Sequence, residues 1–146
     1  MKLRTIIALL LSSVIVACGS DSDNPPAPSG VSRTVLVYMA SSNSLGDGTS
    51  GARYDLLDIA EMEQAVATGA LNGGRLLVFH AGSGMTPALK EVTPRGTVTL
   101  RTYEGMGSSL SVSTMGDILD DAFHIAPADD YGLVLWSHAS GWLDNG

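Results

Sequence analysis

The stretch YGLVLWSHASGW, residues 131–142, decides the fold of this chain. Its first half, Tyr131 to Trp136, is a continuous apolar run of strand length, which is typical of a parallel strand buried on both faces. Its second half becomes small and polar, and it carries His138 just past the end of the run. We therefore predict a buried strand that delivers a histidine directly into a loop bracketed by Trp136 and Trp142.

Two further segments have the same character as this strand. Thr34–Ala40 and Arg75–His80 are short, apolar and rich in β-branched or aromatic residues, which predicts two more buried strands. Between them, apolar residues recur at helical spacing from Tyr54 to Thr68, and glycines then stop the pattern. The apolar stripe of this helix consists of Leu56, Ile59, Met62, Val66 and Ala67. A strand, a helix and a strand in this order imply a right-handed crossover between parallel neighbours.

The remaining segments complete a layered domain. Leu89–Thr93 and Thr97–Tyr103 flank a Pro-Arg-Gly turn and predict an antiparallel hairpin at the edge of the sheet. A second helix follows, with Ser111 or Ser113 as its candidate cap and Pro127 at its end. Its apolar stripe is Met115, Ile118, Leu119, Ala122 and Phe123. The sum is a three-layer α/β/α sandwich with a mostly parallel sheet.

Candidate functional residues follow the three apolar strands. In open parallel sheets, ligands and catalytic groups gather at the carboxyl ends of the strands. Three loops therefore qualify: Ser41–Ser44, His80–Ser83 and Ser137–Trp142. His138 is the most telling side chain, because an imidazole on a rigid strand can act as a general acid or base near neutral pH. From the residues alone, a hydrogen-bonded structural histidine remains the alternative.

The first residues predict export. Lys2 and Arg4 precede an apolar stretch that is too short to span a bilayer, and Cys18 follows a small residue at its end. This ending resembles the bacterial lipobox, in which such a cysteine is lipidated. We predict a lipoprotein signal peptide over residues 1–17, lipidation at Cys18, and a flexible Pro- and Ser-rich tether over residues 18–32. The alternative is an ordinary secretory peptide with an incidental thiol.

Charge limits the partners of the chain. The formal net charge is -7, and without Lys2 and Arg4 six basic and fifteen acidic residues remain, a net charge of -9. Such a surface repels nucleic acid and anionic membranes. We therefore predict no nucleic-acid partner, and membrane contact only through the lipid anchor.

Three segments together resemble one protein family. Residues 131–142 look like the Y-G-L-V-L-W-S-H-G-x-G-W motif of the clostripain family of cysteine peptidases. Val35–Ala40 with Asn43–Leu45 is similar to the first strand of the family and its A-x-x-N-x-L turn, and Asp58–Met62 is similar to its D-L-x-E-M helix. The resemblance covers Arg33 to Trp142, so residues 33–146 are expected to form the N-terminal part of a clostripain-like domain.

The resemblance implies a caspase-like fold with a catalytic cysteine–histidine dyad. His138 matches the histidine, and Ala139 stands where a glycine usually offers its N–H to the oxyanion. The nucleophilic cysteine is expected after a further strand beyond Gly146, since Cys18 lies in the export signal. The chain as given is then incomplete at its C-terminus and inactive alone, and its third strand has an exposed apolar edge.

The family also implies a substrate class, namely a protein or peptide cut after Arg or Lys. Some relatives use calcium, but neither Asp120-Asp121 nor Asp129-Asp130 forms a recognisable ligand loop. The residues therefore predict no metal site and no cofactor, while the resemblance to the family leaves calcium possible. The rival interpretation is a non-catalytic cell-envelope lipoprotein that keeps the scaffold for binding.

Three other candidates have weaker support from the sequence. Ser140 lacks the Gly-x-Ser-x-Gly context of a serine hydrolase. His80 can be a metal ligand or a satisfied structural histidine, and the structural role is favoured. His124 lies late in a helix and is given no catalytic role.

Overall fold

The computed structural model describes residues 30–138, which form five strands and three helices. The signal peptide, most of the tether, Cys18 and Ala139 lie outside these residues. The elements in chain order are β1 Arg33–Ser41, α1 Ser44–Asp47, α2 Tyr54–Ala67, β2 Arg75–Gly82, β3 Ala88–Thr93, β4 Gly96–Thr102, α3 Val112–Ile125 and β5 Asp130–Trp136.

The strands form one mixed sheet in the order β4-β3-β2-β1-β5. β1 is an interior strand and runs parallel to β2 on one side and to β5 on the other. β3 and β4 add to β2 as an antiparallel hairpin, with β4 at the sheet edge. The predicted hairpin and the predicted crossover strands are thus confirmed. The carboxyl ends of β1, β2 and β5 point the same way, which brings the loops that follow them to one rim.

The core has two halves, one on each face of the sheet. Alternate residues of β1 serve opposite faces, because successive side chains of a strand point in opposite directions. Leu36 and Tyr38 pack with Ile118 of α3, whereas Val37 and Met39 pack toward α2. Helices therefore cover both faces of the sheet, and the predicted three-layer sandwich is confirmed.

The buried face of α2 differs from the predicted stripe. Ile59 and Val66 are buried as expected, but Leu56 is 48% exposed and Ala67 is also exposed. Asp55 is fully buried instead. The sequence pattern predicts that only apolar residues of α2 face the sheet. In the structure Asp55 also faces the sheet, because charged and polar partners surround its carboxylate there.

The burial of the β5 side chains also differs from the prediction. Its parallel pairing with β1 is confirmed, but the prediction that both of its faces are buried is wrong within the described residues. Leu133, Val134 and Leu135 are 47%, 46% and 65% exposed. Within residues 30–138 β5 is the edge strand on its side of the sheet, and the two helices pack mainly against β1 and β2. The outer edge of β5 is the exposed apolar edge that the resemblance implied.

No helix within residues 30–138 is both long enough and apolar enough to span a lipid bilayer.

Candidate active site

His138 lies at the rim formed by the carboxyl ends of the parallel strands. It follows β5 after Ser137, and its side chain is exposed to solvent. Its Nε2 atom is 2.7 Å from the Oγ atom of Ser44, which is the first residue of α1 and the last residue of the loop predicted after β1. The structure thus brings together two of the three predicted loops, although they are 94 residues apart in the chain.

The segment that carries Ser44 is tightly held. Asn43 caps the short helix α1, since its Oδ1 atom accepts a hydrogen bond from the backbone N–H of Leu45 at 3.0 Å. Its amide nitrogen donates to the carbonyl oxygen of Ala40 at 3.0 Å and to the Oγ atom of Ser137 at 3.2 Å. Ser137 in turn donates to the same Ala40 oxygen at 3.1 Å. One side chain therefore ties the end of β1, the start of α1 and the residue before His138 together.

Gly46 lets this turn lie directly on the end of β1. A side chain at position 46 would collide with the backbone carbonyl oxygen of Ser41, so only glycine fits there without a backbone shift. The sequence analysis treated residues 41–44 as a polar loop and did not predict α1. Its cap at Asn43 was a usable signal, although four residues are too few for a helical pattern.

A buried charged cluster lies beneath the turn and is centred on Asp55 of α2. Its carboxylate accepts two hydrogen bonds from Arg53, at 3.0 and 2.8 Å, and one from the Nε2 atom of His80 at 2.8 Å. Ser41 donates to the same carboxylate at 3.3 Å. On the other side of the imidazole, the Nζ atom of Lys90 is 3.2 Å from Nδ1 of His80. Asp55 and the side chain of His80 are almost completely inaccessible to solvent.

The protonation states of the cluster follow from these contacts. Burial opposes ionisation of Asp55, but hydrogen bonds from Arg53 and His80 outweigh it and lower the pKa of Asp55 to about 2. Burial lowers the pKa of His80, against the opposing effect of Asp55. The ion pair is therefore Arg53–Asp55, and a neutral His80 donates from Nε2 and accepts from Lys90 at Nδ1.

His80 is thus a satisfied structural histidine, in agreement with the favoured prediction. Its ring contacts Asp55 and Lys90 rather than His138. Asp55 is not among the candidate residues that the sequence singles out. Nothing in the local pattern pairs it with His80, which is 25 residues further along the chain.

A groove borders His138 along the carboxyl end of the sheet. A cavity of about 270 Å³ is lined by Ala40, Asn43 and His138, and by Leu110 from the loop before α3. An adjoining cavity of about 420 Å³ continues past the end of β2, where Met85 and Met106 contribute to its lining. The Oη atom of Tyr38 donates to the carbonyl oxygen of Ser109 at 2.7 Å and holds the loop in place as the wall of the groove.

Comparison with known proteins identifies the family to which this chain belongs. The family model described as the clostripain family matches residues 37–146, which include the second half of β1, the whole of α2 and β5, and His138. The chain belongs to the clostripain family. No curated protein gives a significant match.

Solved structures of cysteine proteases are similar to this chain in sequence and in fold. A cysteine protease from B. fragilis is 32% identical over 78% of this chain and 94% of its own, with a TM-score of 0.62. An inactive zymogen C11 protease from Parabacteroides distasonis is 34% identical over 82% of this chain, with a TM-score of 0.65, and the match covers 34% of its own length. A clostripain from Bacteroides thetaiotaomicron in complex with the peptide inhibitor BTN-VLTK-AOMK is 22% identical, with a TM-score of 0.64 over 82% of this chain and 98% of its own. The caspase-like α/β fold is thereby confirmed, and this chain spans about a third of the zymogen.

The segment that is similar to the histidine motif of the family contacts the segment that is similar to its helix motif. Trp136, in the histidine motif, donates from its indole nitrogen to the Oδ2 atom of Asp58 at 2.6 Å. Asp58 is the first residue of the segment that is similar to the helix motif of the family. This contact joins α2 to the end of β5 immediately before the loop that carries His138, so it helps to fix the direction in which the loop leaves the sheet.

The acidic pairs considered for calcium have other partners or open surroundings. Both carboxylate oxygens of Asp121 are used, by Arg101 at 2.6 Å and by the Tyr103 hydroxyl at 2.9 Å. Asp130 is 3.9 Å from Arg33 at the surface. Among residues 30–138, no group of three or more His, Cys, Asp or Glu side chains is placed to hold a metal ion. The described residues therefore do not fit a calcium site.

His124 donates from Nδ1 to the carbonyl oxygen of Asp120 at 2.7 Å, on its own helix.

Proposed function

We propose that this chain is part of a cysteine endopeptidase in which His138 is the general acid and base. The observation that carries the proposal is the position of His138, exposed at the carboxyl rim, beside a groove, in a chain of the clostripain family. A thiol reacts as its thiolate, so an imidazole within reach is needed to take its proton.

The proposed reaction proceeds in two stages. His138 accepts the thiol proton, and the thiolate attacks the carbonyl carbon of the scissile peptide bond. The N–H of Ala139 is proposed to bind the oxyanion. His138 then gives its proton to the leaving amine as the C–N bond breaks. In the second stage His138 takes a proton from water, the water oxygen attacks the thioester carbonyl carbon, and the proton returns to the cysteine sulfur as the C–S bond breaks and the carboxylic acid product leaves.

The nucleophile is proposed to come from chain outside the 146-residue sequence. The only cysteine in that sequence is Cys18, ahead of the tether. The outer edge of β5 carries apolar side chains with high exposure, and β5 pairs only with β1 in the part of the chain that the structure describes. A further parallel strand beside β5 would end at the same rim as His138. The greater length of the zymogen relative supports this arrangement.

The substrate is proposed to be a protein or peptide cut after Arg or Lys. The groove next to His138 supports binding of an extended peptide, and the clostripain from Bacteroides thetaiotaomicron binds a peptide inhibitor with the residues VLTK. The acidic net charge favours the approach of basic substrates only as a general attraction.

Covalent labelling of the complete gene product tests the proposed function. A thiol-reactive peptidyl ketone that ends in Lys is expected to label a single cysteine other than Cys18, identified by mass spectrometry of peptides. The same reagent ending in Glu should label far more slowly, and His138→Ala should slow labelling with the Lys reagent, because the thiolate fraction falls. A protein that takes up no label at any cysteine would instead support a non-catalytic envelope lipoprotein.

We also propose that the protein is exported and anchored to the cell envelope through a lipid on Cys18. The support is the charged start, the short apolar stretch and the small residue before Cys18. Replacing Cys18 with Ala should move the protein from the membrane fraction to the soluble fraction, and should remove the lipid mass from the N-terminal peptide. Ser20→Ala is the matched control and should remain in the membrane. Equal membrane retention of both variants would contradict the anchor.

A further inference from the structure

We propose that the Ser44 hydroxyl is the positioning group for the His138 imidazole: it accepts a hydrogen bond from Nε2 and leaves Nδ1 free to face the nucleophilic thiol. This inference rests on the proposed function, because it supplies the orienting partner for the same histidine. It assigns to Ser44 a role that is separate from substrate contact.

The chemistry of the ring supports this direction of the hydrogen bond. A neutral imidazole has one protonated and one unprotonated nitrogen, and only the unprotonated one can accept the thiol proton. Nε2 is occupied by Ser44 at 2.7 Å. If Nδ1 carried the proton of the neutral ring, the basic nitrogen would face Ser44 and could not serve as a base toward a thiol. With the proton on Nε2, the contact with Ser44 is the same before and after Nδ1 is protonated, so the ring need not turn during the reaction.

A neutral hydroxyl is sufficient for this role in a cysteine peptidase. In serine proteases a buried carboxylate fixes the imidazole and stabilises its cation, because the serine hydroxyl is a very weak acid. A thiol loses its proton far more readily, so the imidazole needs a fixed orientation more than it needs a nearby negative charge. Ser44 supplies an oxygen that accepts a hydrogen bond and adds no charge to the rim.

The surroundings of Ser44 support a positioning role, because they restrict its movement. Asn43 caps α1 and bonds the end of β1 and Ser137. Gly46 lies against Ser41, and the hydroxyl of Ser41 donates to the buried carboxylate of Asp55. The buried cluster thus supports the turn from below, and the turn presents Ser44 to the exposed ring. A group held in this way loses little further entropy when it orients the ring.

Kinetics of three variants of the complete gene product test this inference. Ser44→Ala should lower kcat for an Arg- or Lys-ended peptide by roughly 10-fold or more and leave KM nearly unchanged, since it removes one hydrogen bond to a group that becomes charged in the reaction. Ser44→Thr keeps the hydroxyl and should restore most of the turnover. Ser50→Ala removes an exposed serine from the same loop region and should behave as the parent protein.

The nitrogen-15 chemical shifts of the imidazole rings provide a readout that does not depend on turnover. At mildly alkaline pH, where an imidazole is ordinarily neutral, His138 should carry its proton on Nε2. His80 and His124 serve as references in the same spectrum, because His80 donates from Nε2 to Asp55 and His124 donates from Nδ1 to a carbonyl oxygen. In Ser44→Ala, the His138 shifts should move toward the average of the two tautomers while the references stay in place.

The two measurements separate this inference from the proposed function. Parent-like kcat in Ser44→Ala, or a His138 ring in that variant that keeps its proton on Nε2, would overturn the role of Ser44 even if the protein is a peptidase. A protein without peptidase activity whose His138 shifts still respond to Ser44→Ala would overturn the proposed function and leave the hydrogen bond established. Equal loss of kcat in Ser44→Ala and Ser44→Thr, with unchanged His138 shifts, would also contradict the inference.

Discussion

Replacing His138 with Ala is expected to reduce kcat of the complete gene product on Arg- or Lys-ended peptides by about 10³-fold, the middle of the range for loss of a general acid–base group. This loss corresponds to about 4 kcal/mol of transition-state stabilisation. In the proposed mechanism two proton transfers depend on the imidazole, one that creates the thiolate and one that protonates the leaving amine. Substrate contacts elsewhere in the groove would be unaffected by the substitution, so KM should change much less than kcat.

His124→Ala is the matched control for this experiment. His124 is also an exposed histidine, but its ring bonds a carbonyl oxygen of its own helix, α3. Its replacement should leave turnover within about twofold of the parent protein, the range expected for a residue that does not contact the reacting groups. Turnover by His138→Ala at the level of His124→Ala would remove the catalytic role from His138. The comparison is made at several substrate concentrations, so that changes in kcat and KM are resolved separately.

Most elements of the fold are predicted from the sequence because each of them has a local cause, and the four-residue helix α1 is the exception. Apolar runs of strand length gave β1, β2 and β5, and helical spacing gave α2 and α3. The placement of His138 at the rim followed from one rule, that loops after parallel strands share an edge of the sheet. These inferences need only neighbouring residues and the connectivity of the chain.

The contacts that the sequence analysis missed are those between distant residues. Asp55 is not among the residues that the sequence predicts to be buried in α2, yet it faces inward because Arg53 and His80 compensate for its burial. Ser44 was part of a predicted loop, and its partner His138 comes from the far end of the chain. The exposure of the β5 side chains depends on which strands and helices lie beside the strand. A pattern of apolar residues within the strand does not indicate how many such neighbours it has.

Replacing Asp55 with Ala is expected to lower the free energy of unfolding by about 2–3 kcal/mol, because buried donors lose their acceptor while the partly exposed guanidinium of Arg53 can still reach water. The substitution leaves the guanidinium of Arg53, the Nε2–H of His80 and the hydroxyl of Ser41 without their shared acceptor. Asp55→Asn retains the shape and one acceptor oxygen, so it should cost less. Glu61→Ala, on the exposed face of α2, is the matched control and should change stability by less than about 0.5 kcal/mol.

The pH dependence of unfolding identifies the carboxylate as the cause. The pKa of Asp55 is lowered from 3.8 to about 2 in the folded protein, so its ionised form contributes stability above pH 3.8, and that contribution is lost as the pH falls through about 2. It amounts to roughly 2 kcal/mol. The pKa of His80 is also lowered, chiefly by burial, so the unfolded chain binds a proton below about pH 6.5 that the folded protein does not bind. Stability therefore falls with acidification in two steps, the first from His80 and the second from Asp55.

Urea denaturation measured by tryptophan fluorescence from pH 8 down to about pH 2.5, a range that spans the ordinary pKa values of His and Asp, resolves these two steps. The measurement uses a His138→Ala background, so that the proposed peptidase activity cannot digest the sample. The lower step should be absent from Asp55→Ala and from Asp55→Asn, because neither side chain ionises there, and it should remain in Glu61→Ala. A lower step of the same size in Asp55→Ala would show that other carboxylates cause it.

Because Ser41 links Asp55 to the turn that carries Ser44, Asp55→Asn should also lower kcat under conditions in which the variant is fully folded, whereas Glu61→Ala should not.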